Sequence, residues 1–141
     1  MEALNRYHIA QENTFTTALQ EIQNGQKQSH WMWFIFPTIH DRFSPTSFNI
    51  LYALNSTKEV EAYYKDKILG QRLIIISEAL VQHNKSIEDI LPKPDIKKLK
   101  ACMTLFMQIP NADPIFKQVL GKFFDAQQDE KTLEILRSHT T

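Results

Sequence analysis

The chain has 141 residues, of which 43% are hydrophobic, 11% aromatic and 23% charged. This length suits one domain and this composition is that of a folded globular protein, which excludes a disordered chain. Sixteen basic residues balance sixteen acidic ones, so the charge gives no specific signal for nucleic-acid binding. We therefore predict a single domain over residues 1–141.

The cysteine content and the apolar runs bear on the cellular environment. Cys102 is the only cysteine, so an intrachain disulfide or a multi-cysteine zinc site cannot form. The N-terminal residues lack the basic start and apolar run of a secretory signal, and the densest apolar stretch, residues 31–36, is too short to span a bilayer. We expect a reduced, cytoplasmic protein without a membrane segment, and the sequence does not indicate its oligomeric state.

Apolar residues at helical spacing predict an all-α fold, a compact array of about seven or eight short helices. The first helix carries a stripe from Tyr7 through Ile9 to Ile22 and ends at Gly25, because glycine accepts the left-handed cap conformation. The later helix starts are marked by capping residues and proline. These starts are Ser44-Pro45 for a helix ending near Asn55, Ser56-x-x-Glu59, Ser86-x-x-Asp89 for a helix ended by Pro92 and Pro94, Asp95, Asp113-Pro114, and Asp129 for a helix that buries Leu133 and Leu136.

The run from Ser29 to Pro37 is apolar on every side. If Ser29 caps a helix, that helix is a central part of the core, although so short a run also fits a buried strand. Trp31 and Trp33 would then point to different neighbours, and each buried indole N–H needs a partner. The functional alternative is an aromatic-lined pocket with His30 at its mouth.

The helix predicted to begin at Asp95 has a polar pair at the edge of its apolar arc. Asp95 and Lys98 are three residues apart, so their side chains can meet. They are either a cap and a snorkelling lysine or a coupled pair that presents a cation to an anionic ligand. Cys102 lies on the arc and is expected to be inert packing. The arc consists of Ile96, Leu99, Cys102, Met103 and Phe106.

Several motifs, in order along nearly the whole chain, resemble the DUF1810 family. They are SHWMWFIFP at 29–37, Leu69-Gly70-x-Arg72-Leu73, Asp95-x-x-Lys98-Leu99, MTLF at 103–106, Phe123-Phe124 and Asp129-x-x-Thr132-Leu133. The resemblance implies a small all-α protein of the bacterial cytoplasm with no established reaction. We predict no cofactor. The chain departs from the family pattern in part, since Asp125-Ala126 stands where a glycine commonly follows the second phenylalanine.

Two functions are compatible with these residues. The first is a pocket for an anionic small molecule, a nucleotide or a phosphate-bearing metabolite, where the start of the 29–37 run meets the start of the Asp95 helix. Its candidate ligand-binding residues are His30, Trp33, Arg72, Asp95 and Lys98. The second is a non-catalytic protein–protein interaction module whose motifs specify only a core. Convergence of the five residues in a concave pocket would favour the first, and scattered positions the second.

The sequence identifies no catalytic residue, so enzymatic activity is left open. His30 is the only candidate general acid or base in the set. A metal site built from His40, Asp41, His30 and Asp95 is conceivable, but an adjacent histidine–aspartate pair arises easily by chance, and we predict no metal.

Overall fold

A computed structural model describes residues 2–41 and 51–139. Within these ranges the chain forms nine α-helices, which confirms the all-α prediction. The β structure of the described ranges is limited to one bridge between Ile39 and Leu54. The helices are α1 (Asn5–Gln11), α2 (Phe15–Asn24), α3 (Met32–Ile35), α4 (Thr57–Lys65), α5 (Leu69–Val81), α6 (Ile87–Ile90), α7 (Lys93–Met107), α8 (Ile115–Phe123) and α9 (Glu130–Ser138).

The first predicted helix is two helices, α1 and α2, separated by residues 12–14. In α1 the core face consists of Tyr7 and Gln11, one turn apart, so Ile9 on the opposite face is 73% exposed and does not belong to the stripe. The predicted stop is confirmed: Gly25 has a φ of 84° at the end of α2, and its N–H donates to the carbonyl of Ile22 at 2.9 Å.

The 29–37 run is helical only over Met32–Ile35, and Trp31, not Ser29, holds the position before the helix. The prediction that the run is central to the core is confirmed for Trp31, Met32 and Phe36, which are buried, whereas Trp33 and Phe34 are half-buried. The Ser29 hydroxyl donates to a carboxylate of α2 and so does not cap a helix.

The start of α7 differs from the prediction. The helix begins at Lys93, after Pro92, and Pro94 lies inside its first turn, where the missing proline N–H is not needed. Pro94 therefore does not end the preceding helix, and Asp95 is not a cap. Because Asp95 occupies the third helical position, its carboxylate is left for side-chain partners. The predicted arc of α7 is buried except for Ile96, which is half-buried.

Polar side chains lie at the starts of α8 and α9. Asp129 caps α9 as predicted, since it accepts from the N–H of Thr132 at 3.0 Å. At α8 the cap position is Pro114, one residue later than predicted, and Asp113 before it accepts from the N–H of Ile115 at 2.9 Å. The buried face of α9 is wrong in the prediction, because Thr132 and Ile135 point into the core while the predicted pair, Leu133 and Leu136, is half-buried.

The predicted helix that starts at Ser44-Pro45 has its beginning outside the described residues. Its predicted end, residues 51–55, is a turn followed by the β-bridge of Leu54, and Leu51 is 63% exposed. The cap of the next helix is confirmed, since Ser56 Oγ accepts from the N–H of Glu59 at 3.1 Å.

The helices pack around α5 and α7. α5 lies against α2, α4 and α8, and α7 lies against α8 and α9. The approach of α5 to α4 depends on Gly70, because a Cβ at that position would come within 2.0 Å of the Tyr64 carbonyl oxygen. No helix within residues 2–41 and 51–139 has the length and the hydropathy that crossing a membrane requires.

Candidate functional site

A buried carboxylate on α2 holds the tryptophan-rich run in place. Glu21 accepts four hydrogen bonds, from the N–H of Gln28 at 2.8 Å, from the N–H and hydroxyl of Ser29 at 3.0 and 2.6 Å, and from Trp31 Nε1 at 2.8 Å. Burial raises the pKa of the Glu21 carboxyl, but these donors outweigh it and lower the pKa to about 2. Glu21 is therefore ionised, and its hydrogen bonds hold the start of the tryptophan-rich run against α2.

The sequence alone does not single out Glu21, which looks like any polar residue near the end of a helix. The need of the Trp31 indole N–H for a buried partner is the only signal that pointed to such a group. The segment between α2 and the tryptophan-rich run also contacts α6, because the N–H of Lys27 donates to the Ile90 carbonyl at 2.8 Å.

Two lysines share the carboxylate of Asp95. Lys27 Nζ lies 3.0 Å from Asp95 Oδ2, with side chains only 8% and 9% exposed, and so forms a nearly buried ion pair. Lys98 Nζ lies 3.8 Å from Asp95 Oδ1, and its side chain is 27% exposed. The predicted proximity of Asp95 and Lys98 is confirmed. Lys27 was missed, because nothing in a linear pattern shows that it meets α7.

Each lysine also lies over a tryptophan ring. Lys27 Nζ is 5.2 Å from the centroid of Trp31, and Lys98 Nζ is 4.6 Å from the centroid of Trp33. Trp33 is half-buried, and His30, the first polar residue before the two tryptophans, is exposed. The structure thus connects Trp33, Asp95 and Lys98 by direct contacts and places His30 at the solvent end of the same run.

Arg72 makes its contacts in a different place. Its guanidinium lies 5.2 Å from the centroid of Phe15, and its NH1 donates a long hydrogen bond of 3.4 Å to Gln11 Oε1. These partners belong to α1 and α2, whereas the partners of Lys98 belong to α3 and α7. The contacts of the predicted set therefore separate into two groups, Arg72 in one and Trp33, Asp95 and Lys98 in the other, so they do not show the convergence of all five residues that would favour a ligand pocket over an interaction module.

Two surface depressions formed by described residues lie at other positions. One is lined by Gln23, Gln82 and His83, and another, of about 130 Å³, by Val60, Leu105 and Leu136 with their neighbours. The candidate cluster is a surface with partly exposed groups. We use the name lysine–tryptophan cluster for five residues. They are the partly or fully exposed Trp33, Lys98 and His30 and the more buried Asp95 and Lys27.

The chemistry available in this cluster is binding chemistry. Lys98 offers a partly exposed cation, Trp33 an aromatic face and His30 a further polar group. The lone thiol is no nucleophile, because Cys102 is fully buried and burial raises its pKa well above the ordinary value. Within the described part of the chain, no three His, Cys, Asp or Glu side chains are grouped so that they could hold a metal ion.

Thr104, another motif residue, serves the core. It is fully buried, and its hydroxyl accepts from the N–H of Asp129 at 2.8 Å, where α9 begins. The motif threonine of α7 and the motif aspartate before α9 are thus hydrogen-bond partners, so the pair has a structural role in joining α7 to the start of α9.

The described residues form a helical fold with a glutamate-anchored aromatic run, beside which one lysine is nearly buried and another is partly exposed. The chain belongs to the DUF1810 family, described as a protein of unknown function, which matches residues 1–136. A similar solved structure is the conserved hypothetical protein Rv1873 from Mycobacterium tuberculosis. It is 32% identical, with 95% of this chain and 96% of that chain covered and a TM-score of 0.89. A search of curated proteins finds no match.

The departure from the family pattern after α8 has a structural meaning. Asp125 and Ala126 have φ values of 53° and 63°, in the left-handed region that glycine adopts most easily. The N–H of Ala126 donates to the Leu120 carbonyl at 2.9 Å and so helps to end α8. A left-handed turn therefore forms here without glycine. The glycine that commonly stands here in the family is accounted for by this backbone conformation, without a role in ligand binding.

Proposed function

We propose that this protein binds an anionic small molecule, a nucleotide or another phosphate-bearing metabolite, at the lysine–tryptophan cluster. The observation that carries the proposal is the sharing of one carboxylate by two lysines. Asp95 is 3.0 Å from Lys27 and 3.8 Å from Lys98. One carboxylate compensates the nearer, nearly buried ammonium, so the outer ammonium keeps capacity for a further anion.

The aromatic ring beside Lys98 adds a second element of recognition. Trp33 presents a face that Lys98 covers at 4.6 Å. A phosphate bound to Lys98 would draw the ammonium outward and free this face for stacking by a base or sugar ring. The exposed imidazole of His30 would supply a further donor. Arg72 is left out of the proposed site because its contacts lie with α1 and α2.

The proposed role is binding. A reaction is no part of it, because the partly exposed groups of the cluster are recognition groups and the buried ones already have partners. Asp95 is an example, since its carboxylate lies 3.0 Å from Lys27 Nζ and 3.8 Å from Lys98 Nζ.

The test is a titration of inorganic phosphate, nucleotides and sugar phosphates against the wild-type protein, first by thermal shift and then by calorimetry. A ligand that binds the native state raises the Tm. The decisive variant is Lys98→Met, and the matched control is Lys97→Met, which removes an exposed lysine from the same helix. We expect Lys98→Met to weaken binding by about tenfold or more, the cost of one charge-assisted contact, and Lys97→Met to leave it within about twofold.

Two results would contradict the proposal. One is a panel in which no compound raises the Tm. The other is binding that Lys98→Met and Lys97→Met reduce equally, which would reflect general surface charge and no defined site.

The second candidate function, a non-catalytic protein–protein interaction module, is favoured by a different observation. Ile68 and Ile75 of the α5 region are 49% and 42% exposed. Single exposed aliphatic residues need no explanation, but this pair flanks an arginine on one helical face.

A further inference from the structure

We infer that the outward face of α5 docks a protein segment that presents a carboxylate between aliphatic side chains. We name this face the α5 docking face and define it by Ile68, Arg72 and Ile75, with Phe15 beneath the arginine. It is separate from the lysine–tryptophan cluster and does not depend on the function proposed there.

The three α5 residues share one side of the helix. They are spaced at i, i+4 and i+7, and Ile68, directly before the first helical residue, already has right-handed helical backbone angles. The two isoleucines are 49% and 42% exposed, and Arg72 between them is half-buried. The face thus has an aliphatic–cation–aliphatic order along about two helical turns.

Arg72 has no carboxylate partner within the described residues. The positions one turn away on α5 are Ile68, Leu69, Ile75 and Ile76, none of which is acidic. The nearest acid along the chain, Asp66, is already engaged by the N–H groups of Ile68 and Leu69 at 2.9 and 3.0 Å and by His8 Nε2 at 2.9 Å.

The charges that flank the start of this face are also positive. Lys65 and Lys67 are both exposed, and neither forms an ion pair within the described ranges. A carboxylate that approached Arg72 would therefore have these two lysines near the start of the face, while the acids closest in the chain to the face and its support are Asp66, which is already hydrogen-bonded, and the exposed Glu12.

The guanidinium is already held in position. It lies over Phe15 at 5.2 Å and touches Gln11, whose amide nitrogen in turn donates to the Phe34 carbonyl at 2.6 Å and to Tyr63 Oη at 3.0 Å. Gln11 is 1% exposed, so this support is rigid. An arginine fixed in advance costs less conformational entropy when it binds, which is why such residues dominate interfaces.

The chemistry of the face selects its occupant. A helix that carries a glutamate with leucines four residues before it and three residues after it would place each leucine against an isoleucine and the glutamate on Arg72. A second copy of this chain and a free small anion are the other occupants, and the experiment separates them.

The experiment titrates the full-length, isotope-labelled protein with two synthetic amphipathic helical peptides by NMR. The peptides share this leucine pattern and differ only at the central residue, which is glutamate or glutamine. We expect the glutamate peptide to shift the resonances of Ile68, Arg72, Ile75 and Phe15 saturably. The glutamine peptide should bind about fivefold or more weakly, the cost of one charge-assisted contact.

Variants test whether the preference depends on Arg72. Arg72→Met should abolish the discrimination between the two peptides, whereas the matched control Lys67→Met, which removes a neighbouring exposed cation, should retain it. Ile75→Glu should weaken both peptides. Lys98→Met should change neither, so failure here and failure of the proposed small-molecule site can be told apart.

Several results would overturn the inference. They are the absence of saturable shifts, shifts confined to other surfaces, equal binding of the two peptides, and discrimination that Arg72→Met preserves. Sodium acetate that produces the same shifts at Arg72 as the glutamate peptide, with no effect at the isoleucines, would identify a simple anion site. Concentration-dependent dimerisation abolished by Ile75→Glu would identify a second copy as the occupant.

Discussion

Trp31 and Trp33 are two residues apart in one motif, yet they occupy opposite kinds of environment. Trp31 is fully buried, and its indole N–H donates to the Glu21 carboxylate at 2.8 Å. Trp33 is half-buried and lies under the partly exposed ammonium of Lys98. The first tryptophan has its polar atom satisfied inside the protein, and the second has a charged group at its solvent side.

The same contrast holds for the lysines that accompany the two rings. Lys27, over Trp31, is 8% exposed and close to Asp95, whereas Lys98, over Trp33, is 27% exposed and more distant from it. A single apolar run therefore contributes both to the core and to the surface where the anion site is proposed. The difference teaches that a motif cannot be assigned to stability or to function as a whole.

The largest expected effect separates the two tryptophans by stability. Trp31→Ala should lower the free energy of unfolding by about 3–5 kcal/mol, because it empties a large buried site and removes a donor from Glu21. Trp33→Ala should cost about 1–2 kcal/mol, since it loses partial burial and one cation–π contact. Urea denaturation followed by circular dichroism measures both changes.

A milder substitution keeps this comparison usable if Trp31→Ala does not fold. Trp31→Phe retains an aromatic ring but loses the indole N–H. It should lower the free energy of unfolding more than Trp33→Phe does. Equal losses for the two phenylalanine variants would show that the two environments are not energetically distinct.

The next largest effect is the loss of folding stability at low pH. Because the folded-state pKa of Glu21 is about 2, against an ordinary value of 4.5, its stabilisation is fully present above about pH 4.5 and is lost as the pH falls towards 2. One pKa unit corresponds to about 1.4 kcal/mol, so this group contributes ~3 kcal/mol to the pH dependence. In Glu21→Gln that part of the acid sensitivity should disappear.

The measurement is the free energy of unfolding of both proteins between pH 6 and pH 2. Some dependence should survive in Glu21→Gln, because the pKa of Asp66 is also lowered: burial raises it, but bonds from the Leu69 N–H, His8 and the Ile68 N–H outweigh burial. Parallel pH curves for wild type and Glu21→Gln would be incompatible with a fully hydrogen-bonded Glu21 carboxylate.

Local signals in the sequence were sufficient for most of the fold. The caps at Ser56 and Asp129 and the stop at Gly25 act through bonds within a few residues, so they can be predicted from spacing. The start of α7 was misjudged because aspartate at the third helical position and aspartate at the cap leave similar patterns.

The candidate site was predictable only in part, and the missing part is long-range. The Asp95–Lys98 contact follows from i, i+3 spacing, but Lys27 reaches Asp95, and Glu21 reaches Trp31, only through the folded path of residues 21–31. Contacts of this kind cannot be predicted from the periodicity of the sequence. Arg72 was grouped with Lys98 by motif, and its true neighbours, Gln11 and Phe15, are known only from the way α2 packs on α5.

The smallest expected effect distinguishes the two lysines on Asp95 by double-mutant cycles. Lys27→Met with Asp95→Asn should give a coupling of about 2 kcal/mol, since breaking a nearly buried pair leaves a charge without compensation. Lys98→Met with Asp95→Asn should give a smaller coupling, at least about 0.5 kcal/mol, because the distance is longer and the ammonium is partly hydrated. Urea denaturation of the four proteins in each cycle provides both values. If the Lys98 coupling equalled or exceeded that of Lys27, Lys98 would be the principal partner of Asp95, and the lysine–tryptophan cluster would lose the unused positive charge on which the proposed anion site depends.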